Sequence, residues 1–137
     1  MAATTSTTSD DPRKLRTLFQ RAASLAGVHE VSSVMVGLTA DPSDRCFVDF
    51  VDFLESSLRV EDGIFRLTRD RVVLHLADVE EKQASEVLER QRTRFHEEFP
   101  QLTETEFRTR YAEIHPGGEE PTIKEVLPTL FVPKSAS

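Results

Sequence analysis

Arg59 and Asp62 are the residues of this sequence whose types and spacing point most directly to chemistry. They lie three positions apart, where a predicted helix gives way to a predicted strand. A guanidinium fork can donate paired hydrogen bonds to a carboxylate or a phosphate, and a carboxylate accepts hydrogen bonds from N–H groups. The pair therefore predicts either an ordinary surface ion pair or part of a site for a polar ligand.

The other reactive side chains form no catalytic or metal-binding pattern. None of the four histidines has a second His or Cys at a metal-ligand spacing, and Cys46 is the single cysteine of the chain. Ser, His and Asp occur without the sequence of a nucleophile elbow. His75 lies inside an apolar stretch and is expected to be partly buried with its hydrogen bonds satisfied. Neither a metal nor a cofactor is predicted.

The composition is typical of one globular domain. The chain has 137 residues, of which 38% are hydrophobic, including nine phenylalanines that can form a core. The net charge of −7 argues against a nucleic-acid-binding surface. No apolar run reaches the roughly 18 residues that span a bilayer, and the first nine residues lack the features of a secretory signal. We therefore expect a cytoplasmic protein with no membrane or nucleic-acid partner, with tails at residues 1–10 (disordered) and 133–137.

Turn signals and apolar spacing predict the helices and strands. Asp11-Pro12 begins a leading helix that Gly27 ends. A second helix is expected to open at Asp41 and a third at Asp78, where Glu81 would complete a capping box. In chain order the predicted elements are a helix over 11–27, a strand over 31–38, a helix from 41, strands over 64–67 and 72–76, a helix from 78, a strand near 105–114 and a short helix from 122.

Apolar residues recur at helical spacing on the second and third helices and predict much of the core. The stripe of the second helix consists of Phe47, Phe50, Val51, Leu54 and Leu58. The stripe of the third helix consists of Ala84, Val87, Leu88, Gln91 and Phe95. Both helices are therefore expected to pack on the sheet.

After the leading helix the predicted order is β-α-β-β-α-β, followed by the short helix. Right-handed crossovers convert this order into an α/β (α+β) architecture of the ferredoxin-like or nucleotidyl-cyclase-like type. We expect a mixed, mainly antiparallel sheet with helices on one face. No repeat or linker divides the chain, so residues 28–132 are expected to form one domain after the leading helix over 11–27.

The segment from Leu58 to Leu76 resembles the core of the GGDEF domain, the diguanylate cyclase family that makes cyclic di-GMP. In that family a helix ends in Arg-x-x-Asp, five residues follow, and a Gly-Gly-Asp/Glu-Glu-Phe turn precedes an apolar strand. Here Arg59-Val60-Glu61-Asp62 matches the helix end, and Thr68-Arg69-Asp70-Arg71-Val72 occupies the turn. The family's order of elements is the order predicted above, and the resemblance extends over roughly residues 31–131.

The turn departs from the family's pattern where catalysis takes place. Thr68 and Arg69 replace two glycines that let the backbone approach a phosphate, and Arg71 replaces an acid that helps to hold magnesium. The family's metal-bearing positions on the first strand fall near Gly37 and Thr39. The stretch that carries the family's guanine contacts is also shortened, by roughly two to three helical turns. The resemblance thus implies a degenerate domain that is not an enzyme and has no catalytic residue.

The same resemblance implies a ligand site that survives these changes. In the family, Arg-x-x-Asp is the inhibitory site for the product cyclic di-GMP, and a second arginine on the following helix joins it. Those roles fall on Arg59, Asp62 and Arg90, with Arg94 one turn further along. A guanidinium can pair with a phosphate or with guanine O6 and N7, and a carboxylate can accept from guanine N1–H and N2–H₂.

Three functions remain open on the sequence alone. The preferred one is a non-catalytic bacterial signalling or scaffolding module that acts through contacts with an unidentified protein partner. The alternative is a cyclic di-GMP receptor that binds through Arg59, Asp62 and Arg90. A second alternative is an unrelated enzyme on a ferredoxin-like scaffold, since that scaffold hosts many chemistries. A homodimer through the leading helix is also open.

Overall fold

Four helices and four strands form the part of the chain that a computed structural model describes, residues 10–102 and 106–131. In chain order they are α1 (Pro12–Gly27), β1 (Ser33–Ala40), α2 (Arg45–Ser57), β2 (Gly63–Thr68), β3 (Arg71–Ala77), α3 (Glu81–Glu98), β4 (Phe107–Ile114) and α4 (Ile123–Leu130). The tails predicted at residues 1–10 and 133–137 lie outside the described part, apart from Asp10.

The sheet has the strand order β2-β3-β1-β4, which confirms the predicted topology. Every pairing between the described strands is antiparallel, so the expected mixture of parallel and antiparallel pairs is not observed. Strands joined through a crossover helix do run parallel, but another strand always separates them. β3 lies between β1 and β2, and β1 lies between β3 and β4.

Helices cover both faces of the sheet, whereas the sequence pattern predicts them on one. Val34, Val36 and Leu38 of β1 pack in one buried cluster with residues of α2 and α3, as expected for the crossover helices. On the opposite face, Met35 packs in a second cluster with residues of α1 and α4. β1 is apolar at nearly every position because it is buried on both sides. No helix within the described ranges is long and apolar enough to cross a membrane.

Asp10 and Arg66 fasten the start of α1 to the edge strand β2. The N–H of Asp10 donates to the Arg66 carbonyl oxygen (2.9 Å), and the Asp10 carboxylate accepts from the N–H of Arg66 (2.8 Å). The Arg66 guanidinium also contacts the carboxylates of Asp52 and Glu55 on α2, each at 2.8 Å. Asp10, predicted as the last residue of the disordered tail, is therefore anchored to the folded domain.

Two helices begin later than the capping patterns predict. Asp44, and not Asp41, caps α2 by accepting from two backbone N–H groups at 2.9 and 3.1 Å. The Asp41 carboxylate is instead used in a turn with the residue two positions further on. Glu80, and not Asp78, caps α3, and the Gln83 side chain accepts from its N–H at 2.9 Å. Asp78 has a φ of 58° and cannot serve as that cap.

His75 of β3 is fully buried, and neither of its ring nitrogens has a hydrogen-bond partner among the described residues. The expectation of a partly buried, satisfied histidine is therefore wrong. Met35 and Gly63 are its neighbours on the adjacent strands, on the sheet face that α1 and α4 cover. An apolar strand that is buried on both faces gives this side chain no route to solvent.

Candidate functional site

The residues that resemble the family's catalytic turn form the predicted hairpin. β2 ends at Thr68 and β3 begins at Arg71, so Arg69 and Asp70 make the turn, while Val72 is buried in β3. The Thr68 hydroxyl donates to the Asp70 carboxylate at 2.6 Å. The Asp70 carbonyl oxygen accepts from the N–H of the last residue of β1 at 2.9 Å. The turn is thereby fixed beside the end of β1.

Gly37 and Thr39 of β1, near which the GGDEF resemblance places the family's metal-bearing positions, have arginines as cross-strand neighbours. Thr39 pairs with Arg71 of β3 and with Arg108 of β4, and Gly37 pairs with Arg110. Residues directly opposite each other on neighbouring strands share a face, with Cβ atoms about 5 Å apart. Within residues 10–102 and 106–131, no group of three or more His, Cys, Asp or Glu side chains could hold a metal ion.

α4 lies directly against β1 at Gly37. A Cβ at this position would be 2.7 Å from both the Cβ and the carbonyl oxygen of Leu130, which leaves no space for a side chain. The glycine therefore allows the helix to approach the strand backbone closely. Next to this contact, the Arg71 guanidinium lies 6.0 Å from the ring centre of Phe131. This end of the sheet face is occupied by α4 and by cationic side chains.

Arg59 and Asp62 form a paired contact in the loop between α2 and β2. The Arg59 Nε and Nη2 atoms donate to the two carboxylate oxygens of Asp62, each at 3.0 Å. The same carboxylate accepts from the backbone N–H of Arg59 (3.1 Å) and of Ala77 (3.0 Å). The Asp62 side chain is 4% exposed and the Arg59 side chain 48%. The carboxylate is therefore fully engaged inside the protein, while about half of the Arg59 side chain faces solvent.

The Arg59 guanidinium also ties this loop to the end of β3. Its Nη2 atom donates to the Ala77 carbonyl oxygen at 2.6 Å, and Nη1 has only a longer contact of 3.6 Å with the exposed Glu61. Hydrogen bonding to Asp62 raises the pKa of Arg59 above its ordinary value, although burial acts in the opposite direction. Arg59 is thus a permanent cation with one nitrogen that is weakly engaged.

Arg90 does not join this pair. It is exposed on α3, about 14 Å along the helix axis from the first residue of that helix. No hydrogen bond or ion pair between described residues links it to Arg59 or Asp62. Arg94 points elsewhere, with its guanidinium 5.8 Å from the ring centre of Phe53. Two of the three predicted ligand-site residues are therefore in contact, and the third is not.

A cleft of about 370 Å³ opens between α1 and the Arg59 loop and contains cations that the motifs did not identify. Lys14 and Arg21 of α1 line it together with Arg59. Arg21 donates from Nη1 to the Asp62 carbonyl oxygen at 3.4 Å. The seven-residue spacing of Lys14 and Arg21 puts both on one helix face. That spacing was visible in the sequence, but the loop against which the helix packs was not.

Neither a protein-family model nor a curated protein matches the sequence, but solved structures do. PelD of Pseudomonas aeruginosa PAO1 aligns with a TM-score of 0.64 and 22% identity. PelD of strain PA14 in complex with c-di-GMP aligns with a TM-score of 0.65 and 23% identity. A microbial GGDEF domain, solved to study its interaction with cyclic di-GMP, aligns with a TM-score of 0.63 and 17% identity. The fold is that of a GGDEF domain.

The alignments with PelD cover most of this chain but less than half of the PelD chains. The two PelD alignments each cover 86% of this chain, and they cover 44% and 45% of the PelD chains. The alignment with the microbial GGDEF domain covers 79% of this chain and 75% of that one. The resemblance carried by residues 58–76 is therefore confirmed at the level of the fold.

Proposed function

We propose that this chain is a non-catalytic bacterial signalling module of GGDEF fold that binds cyclic di-GMP beside Arg59. Two structural neighbours, PelD of strain PA14 and the microbial GGDEF domain, are described with that nucleotide. The observation that carries the proposal is the half-exposed side chain of Arg59 in a cleft that Lys14 and Arg21 also line. The cytoplasmic setting implied by the GGDEF resemblance suits this role.

The lack of cyclase chemistry is supported by what surrounds the hairpin turn. Mg²⁺ takes oxygen ligands, and Arg71 stands where the family has an acid. Arg71 and Arg108 are both neighbours of Thr39, so a cation near this strand would meet positive charge on either side. Leu130 fills the space next to Gly37.

Incubation with GTP and Mg²⁺ is expected to give no cyclic di-GMP, because the turn has neither the oxygen ligands for the metal nor glycines for the phosphate. The product is measured by chromatography with mass detection, with an active diguanylate cyclase as the positive control. The Arg71→Glu variant restores one acid but leaves Thr39 beside Arg108, so it is also expected to be inactive. Steady turnover by the unmodified chain would overturn this part of the proposal.

The cleft suits a phosphodiester better than it suits the edge of a guanine. Guanidinium groups bind phosphate through charge-assisted hydrogen bonds. The Asp62 carboxylate already accepts four hydrogen bonds inside the protein, so it would have to release them to accept from guanine. In this proposal Asp62 positions Arg59, and the phosphate contacts the cations.

Isothermal titration with cyclic di-GMP is expected to show a dissociation constant in the micromolar range or below. Arg59→Ala is expected to weaken binding at least tenfold, since a charge-assisted hydrogen bond is worth about 1.5–3 kcal/mol. If the alanine variant does not fold, Arg59→Lys takes its place, because it keeps a cation beside Asp62 but lacks the guanidinium. Arg108→Ala removes the same charge from an exposed position on β4 and is expected to bind like the unmodified chain. Equal affinity of the Arg59 and Arg108 variants would contradict the assignment.

A protein-interaction module without a nucleotide is the second candidate, and one observation favours it. Asp62 already accepts four hydrogen bonds, and no hydrogen bond or ion pair between described residues links Arg90 to Arg59 or Asp62. The same titration separates the two candidates. If no heat of binding is detected at high micromolar cyclic di-GMP, the receptor function is ruled out and the interaction module is the remaining candidate.

A further inference from the structure

α1 carries a cation, Arg21, that has no carboxylate partner among the described residues. Its hydrogen bond to the Asp62 carbonyl oxygen is 3.4 Å long, near the upper limit for such a bond. The side chain is exposed and lines the same cleft as Arg59. An exposed guanidinium with one weak contact to a neutral group remains available to an anion.

The two acidic residues that line this cleft, Glu55 and Asp62, each have an arginine partner. Glu55 is bound by Arg66 at 2.8 Å, and Asp62 is bound by Arg59. Lys14, at the far end of the cleft, has a contact of 3.5 Å with Asp10, whose carboxylate also accepts from the backbone N–H of Arg66. The lining has three basic and two acidic side chains, a small positive excess on a chain whose net charge is −7.

Contact between Leu18 and Gly63 brings α1 close to the loop. A Cβ at Gly63 would overlap Leu18 Cδ2, so the glycine at the start of β2 lets the Leu18 side chain pack closely against the strand. Leu18 is three residues before Arg21, on the same helix face. The packing that buries Leu18 therefore also directs Arg21 toward the Arg59 pair.

We infer that α1 supplies half of the nucleotide site and that a bound cyclic dinucleotide clamps this helix to the α2–β2 loop. The inference rests on the proposed function and adds residues to the same site. Lys14 and Arg21 are two helical turns apart, about 10 Å along the axis, and a cyclic dinucleotide carries two phosphodiester groups. Arg21 and Arg59 hold one phosphate and Lys14 holds the other. Binding is thereby coupled to the position of α1.

Titration of the full chain with cyclic di-GMP tests this inference. Arg21→Ala is expected to raise the dissociation constant at least tenfold and Lys14→Ala at least threefold. Arg16→Ala is the matched control, because Arg16 is an exposed arginine of α1 that does not line the cleft. If the unmodified chain binds and the Arg21 and Arg16 variants have equal affinities, the inference fails and the proposed function stands. If the unmodified chain does not bind, both fail.

Hydrogen exchange measures the clamp itself. Cyclic di-GMP is expected to slow amide exchange in α1 and in residues 58–63 of the unmodified chain, because the ligand bridges the two. In Arg21→Ala at saturating ligand, protection is expected in the loop and not in α1. Protection of the loop alone in the unmodified chain would overturn the clamp.

Discussion

Replacement of Phe95 by alanine is expected to lower the free energy of unfolding by about 3–5 kcal/mol. Phe95 is 1% exposed on α3, and its ring centre lies 5.3–5.5 Å from those of Phe50, Phe53 and Phe99. Truncation removes these contacts and leaves a cavity where α2 meets α3. A domain of this size has only about 5–15 kcal/mol of total stability, so the loss is a large part of it.

Chemical denaturation followed by circular dichroism measures this loss. Phe95→Leu keeps part of the ring volume and is expected to lose less than the alanine variant. Val60→Ala, at a residue that is 96% exposed, is expected to change stability by less than about 0.5 kcal/mol. A loss below about 1 kcal/mol for Phe95→Ala would show that the α2–α3 interface is not part of the core.

Helical periodicity predicted Phe95 and most of its partners because it is a local property. Ala84, Leu88 and Phe95 of the predicted stripe are buried, whereas Val87 at the edge of that stripe is only half-buried. The covering of the second face of the sheet by α1 and α4 does not follow from the sequence pattern. A strand as apolar as β1 shows that both of its faces are buried, but the pattern does not say which elements cover them.

Within the candidate site, the sequence predicts local contacts better than contacts between distant elements. Arg59 and Asp62 are three residues apart, and their pairing follows from that spacing. The assignment of Arg90 to the site follows from the family register, which does not fix the rotation or position of α3, and it stays a prediction. Arg21 was missed because its place in the cleft depends on how α1 packs, through Leu18, against Gly63.

His75 gives the second large prediction, a loss of stability in mild acid. Its ring is fully buried, and neither nitrogen has a partner in the described part of the chain. The pKa of His75 is lowered from 6.5 to about 4, mainly by burial; the charge of Asp62 raises it and the charge of Arg21 lowers it, both by less than burial does. The ring is therefore neutral in the folded protein at pH values where it is already charged in the unfolded chain.

The direction of the effect follows from proton binding. Between pH 6.5 and about 4 the unfolded chain binds the His75 proton and the folded chain does not, so stability falls as the pH falls. Well above pH 6.5 the His75 ring is neutral in both states, and this loss of stability is absent. The loss approaches about 3 kcal/mol at pH 4, since each unit of pKa shift corresponds to about 1.4 kcal/mol.

Urea denaturation of the unmodified chain and of His75→Leu, at intervals from pH 7.5 to 4, measures this loss. The leucine variant is expected to be more stable at every pH and to lack the slope between pH 6.5 and 4. The difference between the two curves removes the contribution of carboxylates such as Asp11, whose pKa is lowered to about 2 by its hydrogen bonds with Arg13 and which therefore titrates at lower pH. Met35→Leu changes the non-titrating neighbour of His75 and is expected to shift the curve without altering its slope. A His75→Leu curve parallel to that of the unmodified chain would show that the buried ring does not carry the acid sensitivity.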